Sequence, residues 1–249
     1  MLRQSLLYLS GNPTARKLVT ETTISRRLAA RFVAGDTLPE AIRCARDLNG
    51  EGLTVSLDYL GESVSSRDEA IAATDMAVQS LERIAANEID GNISVKPTQL
   101  GLDIDVDFCV ENMERILDYA RNLGDGEGKI FVRMDMEASP YVEPTIRVVE
   151  ALWSRGYRNV GTVVQSYMHR TLSDIRRLNE LGSRVRLVKG AYREPAQLAY
   201  QDKAKVDRKF VEGMRLLLSE GTYPAIATHD PAMITATRHY AFERGIDRR

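Results

Sequence analysis

Asn159–Lys189 reads NVGTVVQSYMHRTLSDIRRLNELGSRVRLVK. It opens on a β-branched run, Asn159–Ser166, and closes on a second one, Arg184–Lys189. Between them Thr171 with Asp174 has the chemistry of a helix start, a capping hydroxyl followed three residues on by an acid. The stretch therefore predicts strand, helix, strand, which is one unit of a parallel sheet built by right-handed crossovers. Working outward, the same alternation recurs. Leu53–Leu60 (LTVSLDYL), Asn92–Pro97 (NISVKP) and Lys129–Met136 (KIFVRMDM) precede it as strands, and Tyr223–Thr228 (YPAIAT) follows. The intervening segments carry apolar residues at helical spacing, such as Phe108, Met113, Ile116, Leu117 and Ala120, or Ile146, Val149, Leu152 and Trp153. Helix starts are expected at Ser66 with Glu69, Ser139 with Pro140, and Asp230 with Pro231.

Six parallel strands fit either an open doubly wound sheet or part of a closed barrel, and periodicity alone leaves both open. Strand starts from residue 53 to 223 span five units of about 34 residues. A barrel of eight would need roughly 70 residues more, so a barrel reading implies that strands seven and eight and the last helix lie beyond Arg249. Residues 1–50 are expected to form an N-terminal helical segment of two or three helices, the last opening at Thr37 with Glu40. Residues 51–249 are expected to form the barrel.

Composition narrows the function classes. The 249 residues are 43% apolar and 28% charged, which is ordinary for a globular protein. With 34 Lys plus Arg against 35 Asp plus Glu, the net charge of -1 gives no reason to expect a nucleic-acid partner. Cys44 and Cys109 read as separate thiols in a reducing compartment. The apolar run at Met1–Leu9 is short and has no cleavage site after it, and no stretch is long enough to span a membrane. Gly124-Asp125-Gly126-Glu127-Gly128-Lys129 resembles a phosphate loop but precedes a strand, so it reads as a plain loop. His169, His229 and His239 match no metal-ligand pattern, and no metal is expected.

The polar residues that interrupt the strands do so at one end. Lys96, Arg133 with Asp135 and Glu137, Gln165, Arg186 with Lys189, and Thr228 with His229 and Asp230 all fall at or near strand C-termini. In parallel α/β folds that rim binds ligands. Lys96, Arg186 and Lys189 place fixed positive charge there, suited to a carboxylate, a phosphate or an anionic ring, and Asp135 can hold those cations. Tyr192 offers an aromatic wall, while Gly190 and Ala191 allow a flat ligand to approach the backbone.

Five motifs in order resemble the proline dehydrogenases, in particular the stand-alone bacterial type. They are SVKPTQLGL (Ser94–Leu102), FVRMDMEAS (Phe131–Ser139), VVQSYMHRT (Val163–Thr171), RLVKGAYREP (Arg186–Pro195) and ATHDP (Ala227–Pro231). The resemblance implies a distorted (β/α)8 barrel with FAD across the strand ends. It also implies oxidation of L-proline to 1-pyrroline-5-carboxylate, the first step of proline catabolism to glutamate, with electrons passed to a membrane quinone. Carried onto matching positions, Lys96 would contact the proline carboxylate, Asp135 and Arg186 would be the catalytic pair, and Tyr192 would pack on the pyrrolidine ring. Flavin contacts would come from Met136, Gln165, Arg186, Lys189, Gly190, Ala191, Thr228 and His229. The implied location is the cytoplasm, with peripheral contact at the inner membrane face. The family's last helix, with a Tyr-x-x-Arg-Arg-x-x-Glu-like motif, has no counterpart in the sequence; a polypeptide ending at Arg249 is expected to bind FAD weakly and turn over proline poorly. Two other readings stay open: an aldolase using Lys189 as a Schiff-base lysine, and a flavin-binding fragment without catalysis.

Overall fold

A computed structural model of the chain describes residues 33–61, 63–123 and 130–246. These form α1 (Leu38–Gly50), β1 (Val55–Asp58), α2 (Arg67–Ala86), β2 (Gly91–Val95), a 3-10 turn (Thr98–Leu100), α3 (Val106–Asn122) and β3 (Val132–Met134). There follow α4 (Ser139–Ser154), β4 (Val160–Gln165), α5 (Thr171–Leu181), β5 (Val185–Val188), α6 (Lys203–Glu220), β6 (Ala225–Ile226) and α7 (Pro231–Glu243). All six expected strands are present, five trimmed at both ends and β2 beginning one residue early at Gly91 and ending two early at Val95. The apolar run Met1–Leu9, the helices expected before Leu38, the Gly124–Lys129 loop and the charged end at 247–249 lie outside the described residues.

The strands make one sheet in the order β1-β2-β3-β4-β5-β6, with β2 to β6 pairing parallel. Strand order decides between the two architectures that periodicity alone left open, and it bears out the barrel that the family resemblance implied. A doubly wound sheet reverses its winding at a switch point and covers both faces with helices. Here the winding never reverses among the described residues, so right-handed crossovers put the connecting helices α2 to α6 on one face and leave the other as a barrel interior. The fold is an incomplete (β/α)8 barrel.

The helix side is a close-packed apolar layer. Leu81 and Ile84 of α2, Met113, Ile116 and Leu117 of α3, Ile146, Val149 and Leu152 of α4, Ile175 and Leu178 of α5, and Phe210, Met214 and Leu217 of α6 are buried. They pack on strand residues such as Val132, Met134, Val160 and Leu187, which are also buried. Each such side chain contributes about 1.5–3 kcal/mol relative to exposure. Because strand residues alternate faces, the residue opposite Val132 and Met134 on β3 is Arg133, and Asp135 follows directly after the strand. Ser94, Arg133 and Gly161 stand side by side across three strands, as do Val163, Arg186 and Ala225.

Helix starts agree with the sequence reading in part. Ser66 Oγ accepts the Glu69 N–H at 3.2 Å, and Asp230 Oδ1 accepts the Ala232 N–H at 3.0 Å. The Thr37 N–H donates to Glu40 at 3.1 Å. Ser139 and Thr171, however, are the first residues of their helices and not the caps. The Ser139 N–H is taken by Glu194 Oε1 at 2.7 Å, and Asp174 is engaged by Arg170 at 2.8 Å. A tertiary carboxylate displaced the local hydroxyl in the first case, a neighbouring guanidinium claimed the first-turn acid in the second.

The chain divides into two compact units, Met1–Val55 with Asn87–Asp90, and Ser56–Ala86 with Gly91–Arg249. In the first, the Asn49 side chain donates to Leu53 and Asp90 carbonyls and accepts the Asp90 N–H. Cys44 and Cys109 are unpaired, and burial pushes the Cys109 thiol up to about 12. No described helix is long and apolar enough to cross a membrane.

Candidate active site

The second unit gathers the site residues read from the sequence around one cleft of about 750 Å³ at the strand C-termini. Lys96 follows β2, Asp135 and Met136 follow β3, and Gln165 ends β4. Arg186 lies within β5, with Lys189, Gly190, Ala191 and Tyr192 after it, and Thr228 and His229 follow β6. All eleven line the cleft, together with Val163, Val188, Ala227 and Asp230.

Burial sets the electrostatics at its floor. Arg186 Nη1 lies 3.7 Å from Asp135 Oδ1, with the two side chains 22% and 21% exposed. Desolvation raises the Asp135 carboxyl above its ordinary range even though Arg186, Lys96 and Arg133 pull it down. The same burial lowers Arg186. One step deeper, burial and the repulsion of Arg186 bring Arg133 down to about 10. Its guanidinium lies 5.1 Å from the centre of the Phe131 ring, and its Nε is buried without a hydrogen-bond partner. At the floor, therefore, Arg186 and Arg133 surround the Asp135 carboxylate, and Arg186 stands at 3.7 Å from it instead of closing a tight ion pair.

The loops around this floor are held by hydrogen bonds that the sequence did not disclose. Glu137 accepts both the N–H and the hydroxyl of Thr98, at 3.0 and 2.7 Å, which fixes the turn just after Lys96. Gln165 Nε2 donates to the Glu137 carbonyl at 3.0 Å, orienting the amide at the end of β4. Gly190 has φ +110°, and a Cβ there would lie 2.3 Å from the Tyr167 ring. Packing against Tyr167 is thus a further reason for glycine, beside the close ligand approach expected from the sequence.

Lys189 Nζ donates to Asp207 at 2.5 Å and to Asp230 at 2.6 Å, and Lys203 bridges the same two carboxylates from outside. Asp230 was legible as a helix cap and rim residue, but its pairing with Lys189 was not. Asp207 shows in sequence only as the i+4 partner of Lys203 on a helix surface. Among the described residues no group of three or more His, Cys, Asp or Glu could hold a metal ion.

Residues 41–249 match the family profile described as proline dehydrogenase. The chain belongs to the proline dehydrogenase family. It is 38% identical over 244 residues to proline dehydrogenase 2 of Bacillus subtilis (strain 168), covering 98% of this chain and 78% of that protein. Against the proline dehydrogenase of Deinococcus radiodurans the identity is 32% over 250 residues, covering 99% and 78%. These stand-alone bacterial relatives make the protein an oxidoreductase that acts on proline. The fold matches a crystal structure of proline utilization A from Bdellovibrio bacteriovorus with a TM-score of 0.79 at 23% identity. That match covers 90% of this chain and spans 28% of the longer protein.

Proposed function

We propose that the cleft binds FAD and L-proline, and that the protein converts L-proline to 1-pyrroline-5-carboxylate and passes the electrons to a quinone. The donor set and wall chemistry fit a flavin. Met136, Val163, Val188 and Ala227 give an apolar wall for a flat ring, while Gln165, Arg186, Lys189, Thr228 and His229 supply polar groups for its edges and tail. Bound FAD would supply the hydride acceptor. The chain's own residues do the rest. Lys96 offers charge for the substrate carboxylate, and Arg186 would stabilise the negative charge that a flavin takes up with the hydride. Tyr192 walls the pyrrolidine subsite. The substrate amine must be neutral before it loses hydride, so Asp135 orients Arg186 and steers the departing proton.

The observation that carries this reading is the Asp135–Arg186 pair, 3.7 Å apart in the cleft that Lys96 also lines, where burial outweighs pairing for both partners. An aldolase reading is disfavoured because the Lys189 ammonium is held by two carboxylates and is not presented as a free amine. Transfer to a membrane quinone would bring the protein to the inner membrane face as a peripheral partner. An anaerobic absorbance spectrum before and after L-proline tests the proposal. Flavin bands that bleach on addition are expected; a protein without flavin, or one whose bands persist, contradicts it.

A further inference from the structure

The connection from β5 to α6 is long for a barrel loop, and it is stitched down instead of hanging free. Its far half lies on the turn after β4. The His169 N–H donates to Leu198 O at 2.9 Å, the Tyr200 N–H donates to Tyr167 O at 2.8 Å, and Met168 and Ala199 form an antiparallel bridge. Its near half carries Tyr192, and it has a different anchor. Glu194 is only 9% exposed, and its Oε1 accepts the Ser139 N–H at 2.7 Å. The Glu194 carbonyl in turn accepts from Gln201 Nε2 at 3.2 Å, tying the two halves together.

Ser139 opens α4 and follows Asp135 by four residues along the end of β3. Its N–H is one that a helix leaves without an internal partner, and a carboxylate is favoured there by the helix dipole. A local side chain ordinarily supplies the acceptor. The residue in the capping position is Ala138, which has none, and the acceptor arrives from 55 residues away. A link of that length joins the segment bearing Asp135 to the loop bearing Tyr192.

We propose that Glu194 is a positioning residue that sets Tyr192 against Asp135, and so sets the width of the proline subsite. The inference rests on the reading of Tyr192 and Asp135 given above. Glu194 does not itself reach the cleft; it acts through the loop. Removing it loosens the near half of the loop, where the Tyr192 backbone still lies against Tyr167, while the far half stays bridged to Tyr167 and His169.

Steady-state kinetics on the holoenzyme test it. Glu194→Ala is expected to raise KM for L-proline about tenfold with kcat changed less than about twofold, the mark of lost substrate positioning. Glu194→Gln keeps an acceptor oxygen and should stay within about twofold of wild type, while Glu194→Asp, one methylene short, should fall between. Installing a local cap with Ala138→Asp in the Glu194→Ala background should recover the thermal midpoint but leave KM raised. An unchanged KM in Glu194→Ala, or recovery of KM by the local cap, overturns the proposal. If Glu194→Ala fails to fold, an unchanged KM in Glu194→Asp overturns it equally. Tyr192→Ala separates the two levels. If it leaves KM unaltered, the Tyr192 subsite is wrong; if it raises KM while Glu194→Ala does not, only the positioning role fails.

Discussion

Two charge clusters in the second unit use the same residue types to opposite ends. Between α4 and α5, Glu143 meets Arg170 at 2.5 Å and Arg177 at 3.1 Å, while Arg177 also meets Glu150 at 2.5 Å. There pairing wins, and hydrogen bonds from Arg170 and Arg177 hold the Glu143 carboxyl down at about 2. At the strand ends Asp135 and Arg186 stand 3.7 Å apart, burial wins, and the Asp135 carboxyl is raised. Asp174, the nearly covered carboxylate of the helix cluster, is also raised despite its bonds to Arg170. Depth therefore sets the direction, and what separates the clusters is saturation. The helix lattice has spent its donors and acceptors on itself, whereas the Asp135–Arg186 floor of the cleft is held by one loose contact of 3.7 Å.

The sharpest way to break this contrast is Arg186→Ala. With the cleft's central cation gone, kcat/KM for proline should fall by about 100-fold or more, measured by proline-dependent dye reduction; a change under about threefold would remove Arg186 from the reaction. Asp135→Asn should lower turnover by about tenfold and flatten the acid limb of the pH–rate profile. It carries a second signature. Because the folded carboxyl lies above its ordinary range, the ionised form costs stability as pH rises through that value, so the neutral amide should melt higher than wild type at neutral pH. A variant that melts lower at neutral pH would show that pairing, not burial, governs Asp135.

Glu143→Gln probes the other cluster. Turnover should not move, and stability should fall by about 1 kcal/mol, since solvent screens a carboxylate that is 35% exposed. Its folded value of about 2 lies below the ordinary 4.5, so its contribution is complete above about pH 4.5 and disappears as pH falls toward 2. Urea melts across that window should therefore converge for wild type and variant. The smallest effect is expected at Lys203, 75% exposed on the rim of the Lys189 network. Lys203→Ala should leave the thermal midpoint and the flavin spectrum as they were.

The fold was legible because strand runs and helix periodicity depend on near neighbours. All six strands and the apolar faces of α3 and α4 follow from that, and the polar strand ends marked the cleft because strand C-termini converge in any parallel sheet. Periodicity could not tell an open sheet from a barrel, since strand order is a long-range property; the family motifs implied the barrel, and the strand order bears it out. The caps divide on the same line. Ser66 and Asp230 bond within three residues, whereas Ser139 depends on Glu194 and could not be read locally. Asp207 stayed hidden for the same reason: only the packing of α6 beside β5 brings it to Lys189.

The central claim is that the strand-end cleft, and not the helix lattice, carries proline oxidation. Single-turnover bleaching of the bound flavin by L-proline, followed side by side in wild type, Glu143→Gln and Arg186→Ala, tests it most directly. Equal bleaching rates in the first two with loss of bleaching in the third are predicted. Equal rates in all three, or loss in Glu143→Gln alone, would contradict the account.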